Sequence, residues 1–263
     1  MTPHPFLDQP RPIAFAHRGG ALEAEENTMA AFAHAVRLGY SHVEADVQAT
    51  RDGVAVVFHD DTLERMTGER LRVADLTWED LSKRRTRGGE AIPLLDEVFE
   101  EWPDLFLNLE PKSAAAVAPL AAAIRRAGAL HRVCVGAFDP GFTRHLRELL
   151  GPQLPWSPAR DGVARLWLAG WGLPVRVPEF PAVQVPVAFR GVPVVTRRFV
   201  AAAHARGVQV HVWTVNEEAE MERLLDLGVD ALMTDRPTLL RAVLERRGQW
   251  HGRAAKDAPS RAE

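Results

Sequence analysis

The chain is short of three things whose presence would have narrowed its setting at once. It has a single cysteine, Cys134, so no internal disulfide can form and a reducing compartment is expected. That thiol lies in the apolar run Val133-Cys134-Val135 and reads as a core residue. Net charge is nearly absent: 32 Lys and Arg against 35 Asp and Glu leave −3, too little for a broad cationic face toward nucleic acid or an anionic membrane. The basic, aromatic-interleaved surface that a nucleic-acid polymer requires is missing too. Finally, no stretch of about 18 apolar residues occurs, and Met1 to Pro12 carries four prolines in place of an apolar signal-peptide core. The expectation is a cytoplasmic protein with no transmembrane segment, in which any phosphate-bearing ligand is met by local groups.

What is present points to one barrel. At 263 residues and 46% hydrophobic content the chain can bury one sizeable core, and α/β barrels use about 250 residues as a single domain. Short β-branched runs alternate with amphipathic stretches, the pattern of repeated βα units. Eight strand candidates centre on Ile13-Ala16, His42-Val47, Leu105-Leu109, Arg132-Val135, Leu154-Trp156, Ala182-Val185, Val208-Val212 and Ala231-Met233. Helices are expected over Thr28-Leu38, Leu94-Glu101, Ala114-Ala127, Gly141-Leu150, Thr196-Arg206 and Glu217-Leu227, several followed by glycine. The fold class is therefore α/β, a (β/α)8 TIM barrel over residues 1–247. The polar, turn-rich stretch from Asp60 to Ile92 is read as an insertion after the second strand, at the barrel mouth. Leu166 to Pro181 is expected to be irregular, and Gly248 to Glu263 to be a disordered tail.

In such a barrel the C-terminal strand ends face the active-site mouth, so polar groups that close apolar runs carry the most weight. His17 and Arg18 close the first run, Glu44 and Asp46 lie on the second, His59 closes the extended run Val54-Phe58, and Glu110 and Lys112 close the third. Glu44 and Asp46, two apart on a strand, share a face. Together with Glu110 they form an all-oxygen set that suits one hard divalent cation, Mg²⁺ or Ca²⁺, better than zinc. Any one of these acids could instead sit in a structural salt bridge with Arg18 or Lys112. His17 and His59 are candidate proton carriers, because imidazole titrates near neutrality. His34, His145 and His204 fall on helices and are peripheral. Arg18 and Lys112 add the positive charge that a phosphodiester, though not a bare cation site, would call for.

The ordered series of motifs resembles the glycerophosphodiester phosphodiesterases from Ile13 to about Leu240. It comprises His17-Arg18-Gly19-Gly20, Glu26-Asn27-Thr28, Glu44-Ala45-Asp46-Val47, Thr50 with Asp52-Gly53, and His59-Asp60, followed by Leu63, Arg65, Thr67 and Gly68. It continues with Asn108-Leu109-Glu110-Pro111-Lys112, Trp213-Thr214-Val215-Asn216, Gly228-Val229-Asp230 and Thr234-Asp235-Arg236-Pro237. The resemblance implies His17 and His59 as catalytic acid and base, and Glu44, Asp46 and Glu110 as metal ligands. It further implies Arg18 and Lys112 at the phosphate, Glu26 and Asn27 supporting the first turn, and Trp213 near the alcohol. Two departures stand out: Glu25 replaces the family's proline, and Gly136 and Ala137 replace its serines. The implied reaction is hydrolysis of small glycerophosphodiesters to glycerol 3-phosphate and an alcohol. The alternatives are a lysophospholipase D-like phosphodiesterase, for which Trp171, Phe180 and Phe189 are lip candidates although the burial preference of aromatics favours reading them as core, and a non-catalytic barrel that binds phosphate ligands.

Overall fold

The structure is a computed structural model and describes residues 4–253. Its strands are β1 (Ile13–His17), β2 (His42–Ala49), β3 (Ala55–Val57), β4 (Phe106–Pro111), β5 (Val133–Val135), β6 (Ala182–Pro186), β7 (Ala188–Phe189), β8 (Val192–Pro193), β9 (Gln209–Trp213) and β10 (Ala231–Thr234). Seven of them form a parallel sheet in the order β5-β4-β2-β1-β10-β9-β6, while β3 runs antiparallel against β2. Every residue of β2 is buried, as expected for a parallel strand covered on both faces. The helices are α1 (Met29–Arg37), α2 (Glu64–Thr67), α3 (Trp78–Leu81), α4 (Leu95–Glu101), α5 (Ala114–Arg126), α6 (Pro140–Leu150), α7 (Arg160–Gly170), α8 (Arg197–His204), α9 (Glu218–Asp226) and α10 (Pro237–Arg246). No helix among the described residues is long and apolar enough to cross a membrane.

The architecture is thus a TIM-like α/β fold, with β1 pairing β2 on one side and β10, the last strand, on the other. The segment around Leu154 to Trp156, expected as a full strand, makes only a single parallel bridge from Trp156 to Val135. Its backbone still bonds β5, with Val135 N–H donating to Pro155 O (3.1 Å) and Ser157 N–H to Val135 O (2.9 Å). Pro155 has no N–H to donate, which keeps the ladder from continuing. On its other flank Gln184 N–H of β6 donates to the Ser157 hydroxyl (2.8 Å), so a side chain does the joining there.

Two apolar clusters hold helices to the sheet, one around β2, β4, α4 and α5 and the other around β6, β9, α8, α9 and α10. At the floor, Phe6 from the N-terminal segment packs with Phe15, Phe106 and the fully buried Cys134. The buried His42 ring stacks on Phe106 at 4.6 Å, and His211 lies beside Phe15 at 5.5 Å. Burial lowers both imidazoles, to about 3 for His42 and about 4 for His211, so each is neutral in the folded protein near pH 7.

Several expectations need correction. The stretch from Leu166 to Pro181 is not irregular throughout, because α7 runs into it and buries Leu166. Glycines at 162 and 170 interrupt the periodicity by which that helix could have been read. The insertion is not merely polar: it carries α2 and α3, and Leu63, Met66, Val73, Leu81 and Ile92 pack with Val56 and Phe58 into a small core of its own. Residues 248–253, placed in the expected disordered tail, are seated on the barrel, with Trp250 against Tyr40 at 5.1 Å and Arg253 N–H donating to Gly39 O (2.9 Å). The remainder of that tail, 254–263, lies outside the described residues.

Candidate active site

Strand register assembles the centre. His17 on β1 is in register with Glu44 on β2, and Asp46 on β2 with Glu110 on β4. Side chains at these positions emerge together at the C-terminal edge of the sheet, where βα barrels carry their chemistry. The turn after β1 reverses sharply: Arg18 has φ 52° and Gly19 φ 83°. A Cβ at Gly19 would lie 2.7 Å from Ala31 Cβ, so only glycine lets this turn rest on α1. Asn27, also left-handed at φ 57°, ties that loop to β2: its amide donates to Asp46 Oδ2 (2.8 Å) and its carbonyl oxygen accepts from Asp46 N–H (3.2 Å). Thr28 then caps α1 by accepting from Ala31 N–H (3.1 Å).

Glu44, Asp46 and Glu110 each bring a carboxylate oxygen within 4.8 Å of the others. The three acids are not equivalent. Asp46 has Lys112 Nζ at 3.1 Å and Arg18 Nε at 3.0 Å, the latter in ion-pair rather than hydrogen-bonding geometry. Burial opposes its charge, yet Lys112 and Arg18 outweigh burial and hold this carboxyl below its ordinary range. Glu44 has weaker support, accepting from Arg18 N–H (3.2 Å) with His17 Nε2 3.6 Å away. Burial, reinforced by the Asp46 charge, raises it to about 8. Glu110 is also raised, by burial and Asp46, although Lys112 Nζ sits 2.9 Å from it. Two of the three acids are therefore under-compensated by the protein's own cations.

Each candidate histidine is held through Nδ1 by a carboxylate. His17 Nδ1 is 2.6 Å from Asp235 Oδ1, and His59 Nδ1 is 2.6 Å from Asp60 Oδ1. Burial disfavours the charged His17 ring, but Glu44 and Asp235 more than offset this and raise it. Asp235 is in turn fixed by Asn216, whose amide donates to Oδ2 (2.8 Å) and whose carbonyl oxygen accepts from Asp235 N–H (2.8 Å). Arg65 from the insertion bridges the two sides, donating to Asp60 Oδ2 (2.6 Å) and Glu26 Oε1 (2.6 Å), while Arg18 also donates to Glu26 Oε1 (3.0 Å).

All ten residues singled out in the sequence lie at this end of the sheet. Trp213 stands slightly apart, closing β9 with its ring edge-on to Phe138 at 5.8 Å. Arg18 and Lys112, read as phosphate contacts, are both engaged with carboxylates. Among the lip candidates, Phe180 is buried core, while Trp171 and Phe189 are exposed. Asp235, Asn216, Asp60 and Arg65 carry orienting roles that were not assigned to them from sequence. The available signal was positional, since Asp235 directly follows an apolar run whose strand must neighbour the first one in any closed barrel.

Beside the acids a cleft of about 770 Å³ opens, with Glu110, Asn108 and Trp213 on its inner wall and α7 and the β7–β8 hairpin on its outer one.

A parallel TIM-like sheet whose C-terminal edge gathers three carboxylates, two carboxylate-oriented imidazoles and two cations defines a phosphodiester-cleaving barrel. The glycerophosphoryl diester phosphodiesterase family profile matches residues 17–239. Among curated relatives, "Probable glycerophosphodiester phosphodiesterase 2" of Mycobacterium tuberculosis is 39% identical over 254 residues, covering 94% of this chain and 96% of that protein. Human lysophospholipase D GDPD1 is 30% identical over 266 residues, covering 87% and 85%. The crystal structure of a glycerophosphodiester phosphodiesterase from Agrobacterium tumefaciens shares the fold, with TM-score 0.73, 24% identity and coverage of 88% and 99%. The chain belongs to the glycerophosphodiester phosphodiesterase family and is an enzyme, a phosphoric diester hydrolase.

Proposed function

We propose that this enzyme hydrolyses glycerophosphodiesters to glycerol 3-phosphate and an alcohol, using one divalent cation, Mg²⁺ or Ca²⁺, and His17 and His59 as its acid/base pair. The observation that carries the reading is the pairing of two Nδ1-anchored imidazoles with three clustered carboxylates at one strand edge. An Nδ1 partner leaves Nε2 as the nitrogen that exchanges a proton with substrate. A purely structural ion-pair cluster has no use for two such rings.

The donor set fits a hard cation. Glu44, Asp46 and Glu110 supply only oxygen, and the upward displacement of Glu44 and Glu110 means that nearby positive charge is short. When bound, such an ion would supply charge neutralisation at the phosphoryl oxygens. Lys112 and Arg18 hold Asp46 ionised and present cationic charge toward the phosphate. One imidazole Nε2 takes the proton of the attacking hydroxyl or water, and the other returns a proton to the leaving alcohol oxygen. Glu26 and Asn27 keep the turn that carries Arg18 in place. Trp213 lines the mouth on the alcohol side.

This reading includes a (β/α)8 barrel over 1–247, with the segment around Leu154 to Trp156 as its fifth strand, acting in the cytoplasm. A phosphodiesterase of the same fold from Oleispira antarctica, 22% identical with TM-score 0.72, was solved in complex with the product sn-glycerol-3-phosphate, which accords with the proposed product. The test is a panel of small glycerophosphodiesters assayed after chelation and again after Mg²⁺ or Ca²⁺ is restored. Release of glycerol 3-phosphate only with metal supports the reading; metal-independent turnover would overturn it.

A further inference from the structure

The nearly neutral sum of the chain conceals a segregation of charge. Between Ser157 and Arg198 there are six arginines against two acids, Asp161 and Glu179, which leaves +4 in a chain whose total is −3. No Asp or Glu occurs from 180 to 216. The stretch from Ser157 to Arg198 supplies α7, β6 and the β7–β8 hairpin. Elsewhere arginines are engaged with carboxylates: Arg126 pairs with Asp96, Arg223 with Glu220, Arg241 with Glu245 and Arg247 with Glu222. Arg160, Arg165, Arg176, Arg190, Arg197 and Arg198 are all exposed and form no ion pair among the described residues.

The same face exposes apolar side chains that adjoin one another. Trp171, Leu173, Phe189 and Val192 remain 51%, 48%, 44% and 52% exposed. The Trp171 ring lies 5.6 Å from that of Trp167, whose indole N–H donates to Pro193 O (3.1 Å) and so joins α7 to the hairpin that carries Phe189 and Val192. Leu173 N–H turns back to Leu168 O (3.2 Å), which keeps this residue at the end of α7 beside Trp171. Single apolar residues on a surface need no explanation, but a continuous rim of them marks an interaction site. Guanidiniums lie among them. Arg198 is 4.4 Å from the Trp171 ring centre, and Arg160 and Arg190 are 5.4 Å and 5.5 Å from that of Phe189.

Unpaired cations set among apolar groups narrow the choice of partner. Nucleic acid is opposed, because bases stack on open ring faces and guanidiniums already lie over the rings of Trp171 and Phe189. A hydrophilic polyanion would neutralise the arginines and leave Leu173 and Val192 in water. The headgroup layer of an anionic bilayer satisfies both: aromatic and aliphatic side chains reach the apolar boundary while arginine heads stay with phosphate. We propose that the rim built by α7, the segment after it and the β7–β8 hairpin docks on an anionic lipid surface. Trp171, Leu173, Phe189 and Val192 enter the headgroup layer, and Arg165, Arg176, Arg190 and Arg198 meet lipid phosphates. The docking goes beyond the hydrolysis reading and does not depend on it.

The test sediments the full chain with vesicles of phosphatidylcholine alone and of phosphatidylcholine mixed with phosphatidylglycerol. Binding to the mixed vesicles is expected at lipid concentrations where the neutral ones capture little. It should weaken as added salt shortens the Debye length from about 10 Å to about 3 Å. The triple variant Arg165→Gln, Arg176→Gln, Arg190→Gln should lose affinity by about fivefold per arginine. Trp171→Ala with Leu173→Ala should lose about tenfold and keep the salt dependence. All five positions are exposed, so both variants should unfold at the wild-type temperature. Absence of binding to the mixed vesicles, equal binding to the two lipids, or affinity unchanged in both variants would each overturn the proposal. So would capture of polyglutamate or a single-stranded oligonucleotide more tightly than the mixed vesicles, which would make the face a polyanion site.

Discussion

The two sides of the mouth differ in what their strand ends carry. β1, β2 and β4 end in His17, Glu44, Asp46, Glu110 and Lys112, each tied to another charged group. The ends of β5 and β6 offer Gly136, Ala137 and Pro186, none of them charged, and the arginines of the surrounding cleft, Arg160 and Arg190, lie over aromatic rings. The same backbone geometry serves both, which shows that the fold supplies positions and the side chains supply chemistry. A centre that moves protons near charged phosphate must be polar and over-determined. A cleft with few charged groups on its inner wall can be apolar and open.

The division can be broken from the charged side first. Chelation of divalent ions should lower turnover on the order of 10³-fold, restored by adding metal back, because several kcal/mol of charge stabilisation is withdrawn. Undiminished activity after exhaustive chelation would remove Glu44, Asp46 and Glu110 from the chemistry. His17→Ala should lower kcat by roughly 10²-fold or more, with His59→Ala comparable. Near-normal kcat in either variant would strip that ring of its role. Asp235→Asn keeps the shape but loses the charge facing His17 Nδ1. Its cost should be smaller, about 10- to 100-fold, with whichever limb of the kcat/KM profile His17 governs moving to lower pH as the ring loses a carboxylate partner. An unmoved profile would contradict an orienting role for Asp235.

The smallest effect belongs to the barrel floor, and it concerns stability alone. Buried His211, lowered to about 4 in the folded protein, is neutral in both states above the ordinary histidine pKa of about 6.5. As pH falls through the window from about 6.5 to 4, only the unfolded chain takes up the proton, so stability is present at neutral pH and lost toward acid. The slope this residue contributes approaches about 1.4 kcal/mol per pH unit, measurable by urea unfolding across that range. His211→Leu should flatten it, and an equal slope in wild type and variant would show that the ring does not titrate as described.

Much of the charged side was legible in the sequence. Glu44 and Asp46 are two apart on one strand, and alternation alone puts them on one face. His17 and Glu110 end apolar runs, which in a barrel brings them to the mouth. The apolar side was far less legible. Val163 and Trp167 sit in a helix interrupted by Gly162 and Gly170, and the hairpin strands are two residues long, below any readable period. Phe180, Phe189 and Trp171 look alike in sequence, yet the first is core and the other two are exposed, because burial depends on what packs from elsewhere in the chain.

By itself, then, the sequence determined the alternating βα plan and which strand ends carry acids, imidazoles and cations, because strand periodicity and run termini are local properties of a chain. Only the tertiary structure decided the partnerships. Asp235 orients His17 across 218 residues because β10 pairs with β1, and Lys112 stands between Asp46 and Glu110 because β2 and β4 are neighbours in register. The cleft likewise exists only where α7 and the hairpin come to face Glu110, since a concave surface is a relation between elements that no single segment contains.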